Sequence, residues 1–419
     1  MTEKELYEQL DAEYDKAIKD TLQKLARDKP LTKQKFIKAL LQANKLYWIA
    51  RLAKIDEYTM LTAKQTAAAL TVPYMRAAND YIREFRSIYA NYTSAFNLSQ
   101  AEANRLLANV KYDKTIMQNL KAVADKLPDG EDKDKILATI SAPAYRYRLE
   151  RVEVMQKELK ETCNSLASTE TAVERAVLQT EVERAYNITF DGIAQKQPSD
   201  AIIDAIRGNT PIKSAASIPK GLQEFNVTTD KGILDSFHAI NERAVKQIVN
   251  RNWSGESFSS RIWEHTDELA KTVKEVLLKG ELTGGGVNKM AAEIKNRFNV
   301  AAYQARRLVR TEINYVQNQA SIEEYKDAGI ERYEFGAFLD DRTSEICEEH
   351  NGNIYYVKDA KVGVNCPPMH PNCRSMIIPV VKTVSELDKE YQEMIDSLNV
   401  PAGENPLEWL ANELDKLIT

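Results

Sequence analysis

The stretch FLDDRTSEICEEHNGNIYYVKDAKVGVNCPPMHPNCRSMIIPV, residues 338–380, decides how the chain is read. It holds Cys347, Cys366 and Cys373 of only four cysteines, and His350 and His370 of only four histidines. Cys347-x-x-His350 and His370-x-x-Cys373 are pairs with two-residue gaps, the separation at which both side chains of a tight turn reach one ion, and 19 residues lie between them. That is the arithmetic of a four-ligand tetrahedral zinc site. Pro367, Pro368 and Pro371 fix φ and remove backbone donors, so the segment around them is expected to be a rigid, non-helical loop. Cys347, His370 and Cys373 bracket the two loops most tightly, while Cys366 and His350 compete for the fourth place. Two blander readings stand beside the metal. One is a Cys366–Cys373 disulfide, which the reducing interior of a cell opposes; the other is cysteines packed as small hydrophobes with the histidines hydrogen-bonded nearby.

Three short strands are expected around these loops by pattern, at 333–339, 354–357 and 376–381. A sheet that small gains from a metal staple where its loops meet. Upstream, a helix over 301–325 carries Arg310, Thr311 and Glu312, and Arg310 and Glu312 are expected to pair with Asp340 and Asp341 and so lock the helix to the sheet. Gly284-Gly285-Gly286 is read as a connector, because no Gly-Lys-Ser/Thr follows it and no strand precedes it.

Asp341-Arg342-Thr343-Ser344-x-x-Cys347, Asn351-Gly352 and Pro367-Pro368-x-His370-Pro371-x-Cys373-Arg374, followed by an apolar strand, closely resemble the C-terminal domain of the Mu F-like phage head morphogenesis proteins, also called minor head or minor capsid proteins. The resemblance extends upstream to Arg310-Thr311-Glu312 and to the Asn-Trp-Ser-Gly-Glu-Ser segment at 252–257, and so covers roughly 230–381 with its motifs in the family's order. It gives Arg310, Thr311, Glu312, Asp341, Cys347, His370, Cys373 and Arg374 as signature positions. One departure is Cys366, where the family has a small residue. The resemblance implies a protein that associates with the portal and other head proteins at one vertex of the procapsid and assists assembly. It also implies a place in the host cytoplasm during assembly and then in the virion, in the head interior or at the portal vertex, with packaging or ejection alongside the DNA.

The rest of the chain reads as helix. Residues 1–129 contain no glycine, and 28% of the 419 residues are charged, as in long amphipathic helices punctuated by proline. Thr2 with Glu5 forms a capping box, and Leu6, Leu10, Tyr14, Ile18, Leu22 and Leu25 follow at helical steps. Pro30 ends that helix, Thr32 caps the next, and Pro73 is expected to interrupt it. A second capping box stands at Ser99 and Glu102, a loop at 129–132, and a helix candidate over 145–190 with a break expected near Asn164 or Ser168-Thr169. In that helix Arg146, Arg148 and Arg151 are read as a solvated face diluted by glutamates.

The fold class is therefore mainly α: a helical N-terminal region (1–195), a connector rich in proline and glycine (196–231), a head-morphogenesis domain of helices and a small α+β module (232–381), and a helical tail (382–419). The connector ends where 233–249 returns to helix. A net charge of −5 leaves no bulk basic field, so any DNA contact is expected to be weak, local and non-specific. No apolar run approaches the length of a membrane span. A second functional class, a zinc-dependent hydrolase or nucleotide-transferring toxin carried in the virion, would need an open coordination position and a base, for which Asp341, Glu345, Glu348 and Glu349 are the local choices. No His-Glu-x-x-His, P-loop or nucleophile elbow is present. A structural protein, not an enzyme, is the expectation, and ligand closure is the discriminator: four protein ligands mean structure, three plus water leave catalysis open.

Overall fold

The computed structural model describes residues 2–95, 145–208, 240–253, 255–283 and 286–418. The capping box at Ser99 and Glu102, the loop at 129–132 and most of the connector lie outside them. The described chain is mainly α, with one three-stranded sheet. Helix α1 (Glu3–Arg27) starts at its capping box: the Glu5 amide donates to Thr2 Oγ1 at 3.2 Å and the Thr2 amide to Glu5 Oε2 at 2.6 Å. Its residues Leu6, Leu10, Tyr14, Ile18, Leu22 and Leu25 are buried, as their spacing requires.

Helix α2 (Lys33–Ala95) runs straight through Pro73, against expectation. The ring costs about 3 kcal/mol in a helix interior, but Tyr74, Ala78, Tyr81 and Phe85 just beyond it are all buried. At about 1.5–3 kcal/mol for each large apolar side chain, their burial outweighs the proline. Helix α3 (Tyr145–Ala194) is likewise unbroken at Asn164 and Ser168-Thr169. There Thr162 and Thr169 hydroxyls donate back to the carbonyls of Glu158 and Ser165 at 2.8 and 2.9 Å, within the helix, and compete with no backbone bond. Arg151 on this helix is buried, not part of a solvated face.

The expected connector begins with a helix, α4 (Pro198–Ile206), because Pro198 sits in its first turn, where a missing N–H costs nothing. Asn44 holds that turn, donating from Nδ2 to Ser199 Oγ at 3.0 Å and accepting from the Ser199 amide at 2.9 Å. Helix α5 (Glu242–Val249) starts from its N-cap Asn241, so 240–241, inside the expected 233–249 helix, are not helical, and 233–239 lie outside the described residues. Helix α6 (Phe258–Thr283) follows, and then α7 (Val287–Asp327), which begins well before the 301–325 helix that was expected.

Strands β1 (Arg332–Gly336), β2 (Ile354–Tyr356) and β3 (Met376–Pro379) are slightly shorter than their pattern suggests and form an antiparallel sheet in the order β2-β1-β3. The register pairs Tyr333 with Tyr355 and Phe335 with Ile377. A short helix, α8 (Glu345–His350), lies between β1 and β2; α9 (Val384–Ser397) and α10 (Pro406–Ile418) follow the sheet.

The chain forms two compact units, each assembled from separated segments. The first comprises 1–64, 177–254 and 310–419. Its core joins Leu6, Leu10 and Leu22 of α1, Phe36, Leu40 and Tyr47 of α2, Ile202 of α4, Met376 and Ile378 of β3, Leu387 of α9, and Leu410 and Leu414 of α10. The second comprises 65–176 and 255–309, with Tyr74, Tyr81 and Phe85 packed on Met155, Leu159, Val273, Leu277, Ile294 and Phe298. The small sheet is thus cored by elements from both ends of the numbering. Among the described residues no helix is long and apolar enough to cross a membrane.

Candidate metal centre

Two loops at one end of the sheet carry the cluster. After β1, the Thr343 hydroxyl donates to the Phe338 carbonyl at 2.5 Å and accepts from the Asp340 amide at 2.8 Å, closing a turn. Ser344 then caps α8, whose first turn points Cys347 inward onto Phe335 and Cys373. The second loop is pinned from behind: Asn372 takes φ +60°, and its amide donates to Thr311 Oγ1 on α7 at 3.0 Å. The Cys373 amide donates to the His370 carbonyl at 3.1 Å. That turn brings His370 and Cys373 to the same side.

Cys347 Sγ lies 3.3 Å from His370 Nε2 and 3.7 Å from Cys373 Sγ, and all three ligand atoms fall within 4.8 Å of one another. A tetrahedron with Zn–S of about 2.3 Å has edges of about 3.75 Å, so the three atoms already sit near the spacing of a shared face. His370 Nδ1 is 2.9 Å from the Pro371 carbonyl, which can only accept, so Nδ1 carries a proton, and Nε2 is the ring nitrogen turned to Cys347. Cys373 donates its S–H to Cys347, and this hydrogen bond, helped by Ser344, Ser375 and His370, pulls the Cys347 thiol down to about 5. The same bond, with burial, pushes Cys373 up. Two thiols and an imidazole at this spacing form a donor set that gives up protons when it takes a cation.

Neither competitor for the fourth place joins them. Cys366 is fully buried among Ile322, Tyr325, Tyr333, Val357 and Ile377, and burial pushes its thiol up to about 12. His350 turns its Nδ1 to the Tyr355 hydroxyl at 2.6 Å and its ring to Phe335, 5.3 Å between centroids. All four cysteines are free thiols, with Cys366 and Cys373 in separate clusters. Among the described residues the cluster thus has three protein ligands.

Arg310, Thr311 and Glu312 point three ways. Thr311 pins the ligand loop; Glu312 accepts from the Trp253 indole at 3.1 Å, with Trp253 stacked on Tyr315 at 5.2 Å. Arg310 faces a cleft and makes no pair with Asp340 or Asp341. The expected lock of helix to sheet is not made by these pairs; Arg374 instead ties the two loops to each other, with its two terminal nitrogens on the two Asp340 oxygens at 2.9 and 2.5 Å. Those bonds hold the Asp340 carboxyl well below the usual carboxylate range. A single carboxylate already occupied by a guanidinium fork, and by Arg342 at 3.1 Å, has no need of Arg310. Asp341 is exposed. Sequence reasoning missed Asn372 and gave Asp340 the wrong partner; Pro371-Asn372 is a turn signal that could have found the first.

Residues 271–378 match the family described as Phage Mu protein F like protein, a segment that includes Arg310 to Glu312 and all three clustered ligands. The resemblance read from the motifs is borne out there. An NAD(+)--arginine ADP-ribosyltransferase, EFV, of Enterococcus faecalis is 27% identical over 231 residues, covering 51% of this chain and 47% of that protein. An uncharacterized protein of Haemophilus influenzae is 23% identical over 166 residues, 39% of this chain and 36% of that one. The chain spans less than half the length of either relative. No solved structure matches.

Proposed function

We propose that the protein is a minor head protein of a phage, which associates with the portal, assists procapsid assembly, and is packaged with or ejected alongside the DNA. The observation that carries this reading is the Mu F-like segment at 271–378. Its helical surfaces supply the contacts with portal and other head proteins, and its contact with DNA is weak, non-specific and lost steeply with salt. Cys347, His370 and Cys373 hold a structural zinc ion that ties α8 to the 370–374 loop. An ion bound only by the folded chain adds its binding free energy to folding.

Co-expression with a portal protein tests the assembly role. Copurification and normal procapsid yield are expected with the protein, and reduced or aberrant particles without it; unchanged particle yield and composition would remove the reading. For the metal, protein purified without chelator should carry about one zinc per chain. Cys373→Ser should lose the ion and match the lowered melting temperature of chelated wild type. Metal-free protein that melts identically with and without chelator would return the three residues to plain packing.

One observation pair favours the second reading, a zinc-dependent hydrolase or nucleotide-transferring toxin: the three-ligand closure, and the ADP-ribosyltransferase name of one partial relative. Against it, Asp341, Glu345, Glu348 and Glu349 are all exposed, and none is hydrogen-bonded to a ligand. Transfer of label from NAD to an arginine-bearing protein, abolished by Cys347→Ser, would establish that reading over the structural one.

A further inference from the structure

Next to the three-ligand cluster lies a cleft that the head-protein reading leaves unused. It has a volume of about 310 Å³ and is walled by Asp56, Thr59 and Met60 of α2, by Arg310, Asn314 and Gln317 of α7, and by the 370–374 loop. At about 30 Å³ per water molecule it has room for a tetrahedral oxyanion and the first atoms of whatever bears it.

Its charge is unbalanced. Arg310, Arg342 and Arg374 all line it, while the carboxylates that face them are Asp56 and, through its pairs with Arg342 and Arg374, Asp340. Three guanidiniums against two carboxylates leave one positive charge. That charge belongs to Arg310, because Asp340 pairs with Arg342 and Arg374 and the charge that acts on Asp56 is that of Arg374. Arg310 Nε is buried with no hydrogen-bond partner among the described residues. The half-buried Arg310 guanidinium lines the cleft with no ion-pair partner among the described residues, and an oxyanion there would meet its charge and its donors.

We propose that this cleft binds inorganic phosphate, which retains a proton at neutral pH, whereas a phosphate monoester, with a second pKa of about 6, has mostly lost its own. Arg310 supplies the charge and a planar donor fork. Asp56, which also lines the cleft, supplies an acceptor, which repels an anion that is all acceptor and welcomes one that can donate an O–H. Sulfate and phosphodiester linkages carry no such proton at neutral pH and meet Asp56 as like charges. The site discriminates by the logic of a buried polar group that one ligand satisfies and another leaves unpaired. It needs no ion in the neighbouring cluster and stands apart from the assembly role.

Isothermal titration of the full chain at neutral pH tests it, with sodium phosphate, sodium sulfate, and a short oligonucleotide with and without a 5′-phosphate. Saturable phosphate binding is expected, with sulfate and the unphosphorylated oligonucleotide weaker by about tenfold or more. Binding of phosphate and of neither oligonucleotide is expected; equal binding of the 5′-phosphorylated oligonucleotide, mostly a proton-free dianion at this pH, would overturn the role given to Asp56. Arg310→Gln should weaken phosphate by about 10- to 100-fold. If circular dichroism finds that variant unfolded, Arg310→Lys, which keeps the charge and loses Nε, should weaken it by about tenfold. Asp56→Asn should narrow the gap between phosphate and sulfate. No saturable phosphate binding by folded wild type, sulfate binding equal to phosphate, or a folded Arg310 variant with unchanged affinity would each overturn the proposal.

Discussion

Asn372 stands between two of the three clustered ligands with φ +60°, a conformation in which a Cβ-bearing residue without a local hydrogen-bonding side chain is strained. Asn372→Gly should therefore melt within a degree or two of wild type, by an estimate of a few tenths of a kcal/mol, whereas Asn372→Ala should cost about 1–2 kcal/mol. Equal melting of the two variants would mean that the turn relaxes out of the left-handed region. Asp56 gives a pH prediction. Burial raises its carboxyl from 3.8 to about 6, against the opposing charge of Arg374. Because the folded state holds that proton more tightly, the contribution to stability is fully present below 3.8, declines as pH rises through the window, and is lost above about 6. Asp56→Asn should flatten the melting temperature across that window and raise it at pH 8, read by thermal unfolding. The sequence could nominate Cys347, His370 and Cys373 because ligand spacing is local. It could not rank Cys366 against His350, since one faces the α7 side of the sheet and the other faces Tyr355, a difference fixed by register and not by spacing.

At the scale of elements, Gly192 marks the closest approach of α3 to α2. A Cβ there would lie 2.6 Å from Arg51 Nε and 2.7 Å from Trp48 Cη2, both on side chains that are 1% exposed and cannot retreat. Arg51 is fixed further by bonds to the Ile188 carbonyl at 2.8 Å and Asp191 at 3.1 Å. Alanine gains about 1 kcal/mol over glycine in a helix interior, but overpacking costs about 1–3 kcal/mol, so Gly192→Ala should lower stability in chemical denaturation. A gain would show that α3 shifts freely along α2. The start of α1 was legible in its capping box at Thr2; a second box, at Thr383, whose hydroxyl accepts from the Glu386 amide at 3.2 Å, stood in the sequence unread. Helix ends were less legible. Pro73 was read by its local cost and Pro198 by its company of loop residues, while the first was overruled by burial beyond it and the second was a helix start.

The whole molecule divides into two cores that share no segment, so calorimetry should resolve two unfolding transitions. Phe298→Ala, a truncation at a 1% exposed site in the second unit, should move one of them by about 3–5 kcal/mol. Chelation should move the other, which contains the Cys347–His370–Cys373 cluster. A single transition shifted alike by both would contradict two independent cores. This interleaved division was not legible in the sequence, because apolar periodicity tells which face of a helix is buried and not which distant helix buries it.

Helix α1 owes much of its partnership to α10: Leu6, Leu10 and Leu22 share a core with Leu410 and Leu414. On a ribosome adding about 5–20 residues per second, α1 emerges roughly 20–80 s before α10 exists. For that interval its apolar stripe has no native cover from that side. The nascent chain is then a client for holding factors, and the first unit closes only once the message has been read nearly to the codons of α10.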